Sequence, residues 1–200
     1  QMKTQKAILL TLIASALISF NTRAGNDAFG QGKIIISAGY GLGISGTYFR
    51  LLESEANYQA RFLGPIAAKF EYGASDKMGM GISFNYRSFD VSYNESGSQD
   101  TLSLYTSGYK GSQFSILARM NIHFGTTEKM DWYWGLGLGY RGGSRTFYTT
   151  DPYGSDSFTF KNLIPIGFET TIGMRYYFTD NIGIYMEAGL AKALLQGGLA

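Results

Sequence analysis

The sequence predicts an all-β protein: an eight-stranded antiparallel up-and-down transmembrane β-barrel with short periplasmic turns and long external loops. Three observations predict it. Apolar and polar residues alternate through successive segments of about ten residues, the period-two signature of strands with two different faces. The connections between these segments alternate short and long. Aromatic residues collect at both ends of the apolar face, with aliphatic residues between them.

The N-terminus fixes the compartment. Lys3 and Lys6 precede an uncharged apolar run, Ala7 to Phe20, and Asn21-Thr22-Arg23-Ala24 ends in the small residue a signal peptidase reads. This layout predicts a secretory signal peptide over 1–24 and a mature domain over 25–200. The run is shorter than the roughly 20 apolar residues of a spanning helix. The chain has no Cys, so neither disulfides nor a Cys-linked lipid enter the argument. Of 17 basic residues, Lys3, Lys6 and Arg23 belong to the signal, which leaves 14 against 15 acidic ones. Nothing in that balance favours a nucleic-acid partner. With 27 Gly, 15 Tyr, 14 Phe and only 3 Pro, the composition is that of a folded β protein rather than a disordered chain.

In chain order, Lys33 to Leu42 sets Ile34, Ile36, Ala38, Tyr40 and Leu42 on one face. Pro65 to Tyr72 follows with Ile66, Ala68, Phe70 and Tyr72, and Met78 to Arg87 with Met78, Met80, Ile82, Phe84 and Tyr86. Gln113 to Phe124 offers Phe114, Ile116, Ala118, Met120, Ile122 and Phe124; Trp132 to Arg141 offers Trp132, Trp134, Leu136, Leu138 and Tyr140. Ile164 to Phe178 and Ile182 to Leu190 continue the pattern. An eighth segment begins near Leu194 and is expected to be truncated at Ala200. Gly73 to Lys77, Gly125 to Asp131 and Thr179 to Asn181 read as short turns. Gly43 to Gly64, Ser88 to Ser112 and Gly142 to Leu163 read as long polar loops, and the connection at Ala191 to Leu194 as a short one.

Measured from the short turns, Tyr72, Phe124, Trp132, Tyr176 and Phe178 sit at the periplasmic end of the apolar face. Tyr40, Phe84, Tyr86, Phe114 and Tyr140 sit toward the other end. Two aromatic belts around an aliphatic band are what a lipid-facing wall requires, and ten residues tilted by about 40° span about 25 Å. The opposite face carries Lys69, Glu71, Arg87, Arg119, Glu169, Arg175 and Glu187. An eight-stranded barrel has an interior just filled by side chains, so these charges are expected to pair in a salt-bridged core. The expected pairs are Arg119–Glu187 at mid-height and Arg87–Glu169 nearer the mouth, with Lys69, Glu71 and Arg175 below.

On these residues the chain resembles the superfamily of eight-stranded outer-membrane barrels that includes the OmpX-like and OmpA-like transmembrane domains, and above all the small barrels common in Bacteroidetes. The resemblance covers about Lys33 to Ala200 and is one of pattern rather than motif. It implies a Gram-negative outer-membrane location, contact with lipid and lipopolysaccharide, and insertion by the barrel-assembly machinery. Members of the superfamily usually end in an aromatic residue, whereas this sequence ends Gly198-Leu199-Ala200.

Candidate chemistry is sparse. Gly41-Leu42-Gly43-Ile44-Ser45-Gly46 matches a dinucleotide fingerprint in letters, but that motif needs a helix and a βαβ unit after it. Glycines at Gly39, Gly41 and Gly43 fit a crowded lumen instead. His123 is the single histidine, which rules out a multi-histidine metal centre, and it points inward near a periplasmic turn. The sequence therefore predicts no catalytic residue, no cofactor and no metal. Aromatic residues in the long connections (Tyr48-Phe49-Arg50-Leu51-Leu52, Tyr105, Tyr109, Phe147, Tyr148 and Tyr153) suit either an external ligand or packing over the mouth. The expected role is non-enzymatic, in outer-membrane integrity, adhesion or surface interaction. A narrow porin-like channel and a lipid-modifying barrel enzyme are the alternatives.

Overall fold

The computed structural model describes residues 27–42, 58–96, 104–153, 157–162, 164–190 and 193–200. The expected signal peptide, the Tyr48–Leu52 segment and Gly43 to Gly46 lie outside the described residues. Among the described residues nine strands follow one another: β1 (Ile34–Leu42), β2 (Tyr58–Ser75), β3 (Met78–Ser96), β4 (Leu104–Thr126), β5 (Met130–Thr149), β6 (Phe158–Lys161), β7 (Ile166–Tyr177), β8 (Gly183–Leu190) and β9 (Leu195–Leu199). Each pairs antiparallel with its neighbours, and β1 closes the sheet by pairing with both β2 and β9. Eight strands form the ring. The ninth, β6, pairs with the upper part of β5, above the stretch of β5 that pairs with β7.

The register fixes the shape of this barrel. From Gly142 on β5, cross-strand partners run through Phe114, Tyr86, Ile66, Tyr40, Gly197, Met186 and Met174. The path returns to β5 at Trp132, ten residues below its start. A stagger of ten over eight strands, with the usual strand spacing and rise, gives a tilt of about 40° and a backbone radius of about 8 Å. Side chains fill a tube of that radius.

Alternation then turns the molecule inside out relative to a soluble protein. Ile82 is 54% exposed, Leu138 62% and Ile172 57%, all on the outer wall, whereas Arg119, Glu169, Arg175 and Glu187 are buried within. Such an outer surface needs hydrocarbon around it. The ten belt residues lie on it: Tyr40, Phe84, Tyr86, Phe114 and Tyr140 toward one end, Tyr72, Phe124, Trp132, Tyr176 and Phe178 toward the other. Phe114–Tyr140 and Tyr176–Phe178 are in ring contact.

The long connections are shorter than the sequence predicts. Ser88 to Ser112 was expected to be a loop, yet the β3–β4 ladder continues from Ser88↔Ser112 up to Ser96↔Leu104. Likewise β5 runs on to Thr149, with Gly143 opposite Gln113 and Thr149 opposite Ser107. Above the bilayer both faces meet water, so the outer face carries Ser88, Asp90, Ser92 and Lys110, and the apolar alternation that marks a lipid-facing strand disappears. The join between the two storeys is visible on β2. Its register slips between Leu63 and Ile66, where Gly64 takes φ +84°, a conformation costly for any residue with a Cβ. Gly64 N–H donates to the Tyr40 hydroxyl at 3.1 Å, which ties this bulge to the outer belt.

Candidate functional site

Two stretches of the inward face carry the charged and aromatic side chains: the membrane-embedded lumen and its outer mouth. In the lumen, Arg119 from β4 is the hub. Its Nη1 meets Glu169 Oε1 at 2.8 Å, its Nη2 meets Glu187 Oε1 at 2.8 Å and Thr171 Oγ1 at 2.9 Å, and its Nε donates to Asn121 Oδ1 at 2.8 Å. Glu187 also receives Lys69 at 2.5 Å, the Tyr133 hydroxyl at 2.7 Å and Gln196 Nε2 at 2.6 Å, while Ser83 donates to Glu169 at 2.9 Å. Every oxygen of Glu187 therefore has a donor, which is the condition for burying a carboxylate.

A second layer lies toward the short turns. Arg175 bridges Glu71 and Asp131, the latter at 3.0 Å, and its guanidinium lies 4.2 Å from the centre of the Tyr133 ring. His123 stands between the same two carboxylates, with Nδ1 2.7 Å from Asp131 and Nε2 2.9 Å from Glu71. Both ring nitrogens thus face a carboxylate oxygen, an arrangement that a doubly protonated ring fills by donating from each. The lumen then holds Lys69, Arg119, Arg175 and His123 against Glu71, Glu169, Glu187 and Asp131. Glycines on the inner face make room for this crowd: a Cβ at Gly137 would lie 2.6 Å from Glu169 Cγ, and one at Gly135 2.7 Å from Arg119 Cζ.

The floor is closed by the chain that leads into β1. Phe29 is buried and stacks on His123 with ring centroids 3.3 Å apart, and Ala28 N–H donates to the Thr127 carbonyl at 2.7 Å.

The seven charges expected from the sequence are not all brought together. Lys69, Glu71, Arg119, Glu169, Arg175 and Glu187 share the lumen, and Arg119 meets Glu187. The expected Arg87–Glu169 pair does not form. Arg87 lies four residues beyond Ser83 on β3, and it is Ser83 that reaches Glu169; Arg87 Nε donates instead to Gln113 Oε1 at 3.1 Å. Lys69 is not below the Arg119–Glu187 pair but part of it. Sequence reasoning missed Asp131, assigned to a turn, although it shares the inward parity of Tyr133. It gave no role to Tyr133 and Gln196, which the alternation puts on the inward face, and it missed Phe29, which carries no periodic signal at all.

Arg87 belongs to the mouth. There it faces Gln113, which faces Gly143, and Arg141 and Arg145 flank that glycine on β5. Burial, and then the like charges of Arg145 and Arg141, lower the Arg87 pKa. Arg141 Nη2 donates to the Phe168 carbonyl at 3.0 Å, and its buried Nε meets no acceptor among the described residues. No ion pair joins any of the three arginines among the described residues. Above them the inward parity continues through Phe62, Phe89, Tyr109, Phe147, Phe158 and Phe160, with Phe89–Tyr109 and Phe158–Phe160 in ring contact. Lys110, Asp90 and Tyr148 lie on the opposite, convex side, where Tyr148 donates to Asp90 at 3.0 Å.

A closed ring with a charged, packed interior, an apolar outer wall and aromatic belts defines a membrane-spanning eight-stranded barrel of the outer-membrane type. No family model matches the chain, and no curated protein matches it. Two crystal structures of Ail, the attachment invasion locus protein of Yersinia pestis, are similar to it. The first has a TM-score of 0.41 and 14% identity over 84% of this chain and 93% of Ail. The second, Ail in complex with the heparin analogue sucrose octasulfate, has a TM-score of 0.44 and 16% identity over 84% and 94%.

Proposed function

We propose that the protein is a non-conducting outer-membrane anchor that holds a rigid external β-sheet for surface interaction, adhesion included. The observation that carries this reading is the contrast within single strands. Below the outer belt, β3, β4 and β5 wall a sealed and charge-balanced interior, and above it they continue as a ladder up to Ser96↔Leu104. A filled interior of about 8 Å backbone radius leaves no solute path, which counts against the porin-like reading. His123 sits at the closed floor between two carboxylates, stacked over Phe29 and away from any outer-leaflet substrate, which counts against a Ser/His lipid-modifying enzyme. The role needs no cofactor.

Three measurements test it. Protein reconstituted in planar bilayers should give no single-channel steps above background; steps that disappear on adding bulk at Gly137 would restore the channel reading. Cells carrying a variant in which 89–111 is replaced by a four-residue turn should keep the barrel but lose surface attachment. Protease added to intact cells should cut within 97–103 and spare Asp76–Lys77 and Thr127–Lys129; the reverse would invert the topology.

A further inference from the structure

We propose that the lumen binds one buried water molecule between its two charge layers, held by Arg175, Lys69, Glu71 and Ser37. A cavity with room for about one water-sized molecule lies there, lined by Ser37, Lys69, Glu71, Arg119, Asn121 and Arg175. Lys69 and Arg119 belong to the layer around Glu187, whereas Glu71 and Arg175 belong to the layer that includes Asp131. Donors reach this gap that the protein itself leaves unused. Arg175 is 2% exposed; its two terminal nitrogens are engaged by Asp131 and Glu71, and its Nε–H meets no acceptor among the described residues. The Lys69 ammonium carries three protons. Its carboxylate partner among the described residues is Glu187, at 2.5 Å, and the Tyr185 ring centre lies 4.4 Å away on another side. Glu71 stands in the same wall with one bond to each oxygen, from His123 and from Arg175, and each carboxylate oxygen can accept a second.

Polarity decides against an empty cavity. Dry cavities are apolar ones, and a buried water makes about three hydrogen bonds to groups the protein leaves unsatisfied. Charge then decides between water and an ion. The immediate walls, with Lys69, Arg119 and Arg175 against Glu71, would by themselves suit a halide. The lumen as a whole, with His123 doubly protonated, holds four cations against four carboxylates. A halide would add a bare charge to that balanced interior, and a buried charge without its counterpart is heavily penalised. A metal cation would face one ammonium and two guanidinium groups. Water carries no charge and is both acceptor and donor. Its oxygen accepts from Arg175 Nε–H and from Lys69, and its protons go to Glu71 and Ser37 Oγ. The two layers share no ion pair among the described residues, so this molecule would join them into one network.

Crystals of the full chain grown from detergent with sodium bromide as the only halide test this directly. Ordered density should stand in the cavity about 2.7–3.2 Å from Arg175 Nε, Lys69 Nζ and a Glu71 oxygen, with no anomalous signal at the bromine edge. An anomalous peak would make the occupant a halide and overturn the proposal, as would a cavity without density in a map that resolves ordered water elsewhere. A solution measurement stands beside it. In micelles, the Arg175 Nε–H resonance should show a cross-relaxation peak to water with the sign of a long-lived neighbour rather than of proton exchange. Ser37→Thr adds a methyl group at the cavity wall and should abolish that peak. Ser115→Thr adds the same methyl group to a fully buried lumen serine away from the cavity and should leave the peak unchanged. Heat-modifiable gel mobility verifies that each variant is folded; Ser37→Cys replaces Ser37→Thr if the latter is not. A peak that survives at position 37, or that Ser115→Thr abolishes equally, would reject the site.

Discussion

Below the row formed by Tyr40, Tyr86 and Phe114, the inward face of the barrel carries four basic and four acidic side chains, and each basic group lies on a carboxylate. Above that row the same face of β3 and β5 carries Arg87, Arg141 and Arg145 without an ion pair among the described residues. The strands, the parity and the residue type are shared, so the difference lies in the solvent. In the membrane an unpaired charge costs several kcal/mol and every member must be matched. At the mouth, water screens the mismatch, and an excess of one sign is tolerated at small cost.

The comparison can be broken in graded steps. Arg119→Met leaves Glu169 and one oxygen of Glu187 without their cation and should cost about 3–5 kcal/mol, read as a lowered urea midpoint in micelles. Adding Glu169→Gln should recover part of that loss, because Lys69 still neutralises Glu187. Strictly additive losses would mean that the lumen is not one coupled unit. Phe29→Ala should cost about 3 kcal/mol as a buried ring is removed from the floor, with bilayer conductance still at background because the charge layers above remain. A rise in conductance would make Phe29 the seal and the layers porous. Met80→Arg, directly opposite Tyr72 of the lower belt, should cost about 2 kcal/mol, the lower end of the depth-dependent penalty for a charge on the lipid face. Refolding into thin and thick bilayers would read that depth. Arg87→Met and Arg145→Met should each change the urea midpoint by no more than about 0.5 kcal/mol; a loss comparable to that of Arg119→Met would erase the distinction between the two regions.

The fold was legible because lipid imposes its rule residue by residue. Ile82, Phe84 and Tyr86 must all face out, so alternation named the strands, their faces and their number. The rule stops at the membrane surface, and so did the reading. Phe89, Val91 and Tyr109 continue the inward parity, but Asp90 and Lys110 on the other side look like loop residues. The charged interior was legible as a set and less so as a set of pairs. Pairing depends on the ten-residue stagger, which no single strand displays, and this is why Arg87 falls at the mouth instead of beside Glu169. Asp131 and Phe29 were missed because each sits where a turn or a leading segment folds into the lumen, outside any periodic stretch.

Three of the ion pairs described above share a property that bears on how the barrel comes to exist. Lys69 on β2 meets Glu187 on β8, Glu71 on β2 meets Arg175 on β7, and Arg119 on β4 meets Glu169 on β7. The Glu71–Arg175 contact joins residues 104 apart in sequence. A hairpin made from β2 and β3 alone carries Lys69 and Glu71 without the partners that will bury them, and such a half-wall in hydrocarbon exposes bare charge on its inner side. Contacts of this span form late, after the loop-closure cost has been met. Partial insertion is therefore unstable at every stage, and the chain enters the membrane as a closing cylinder or not at all.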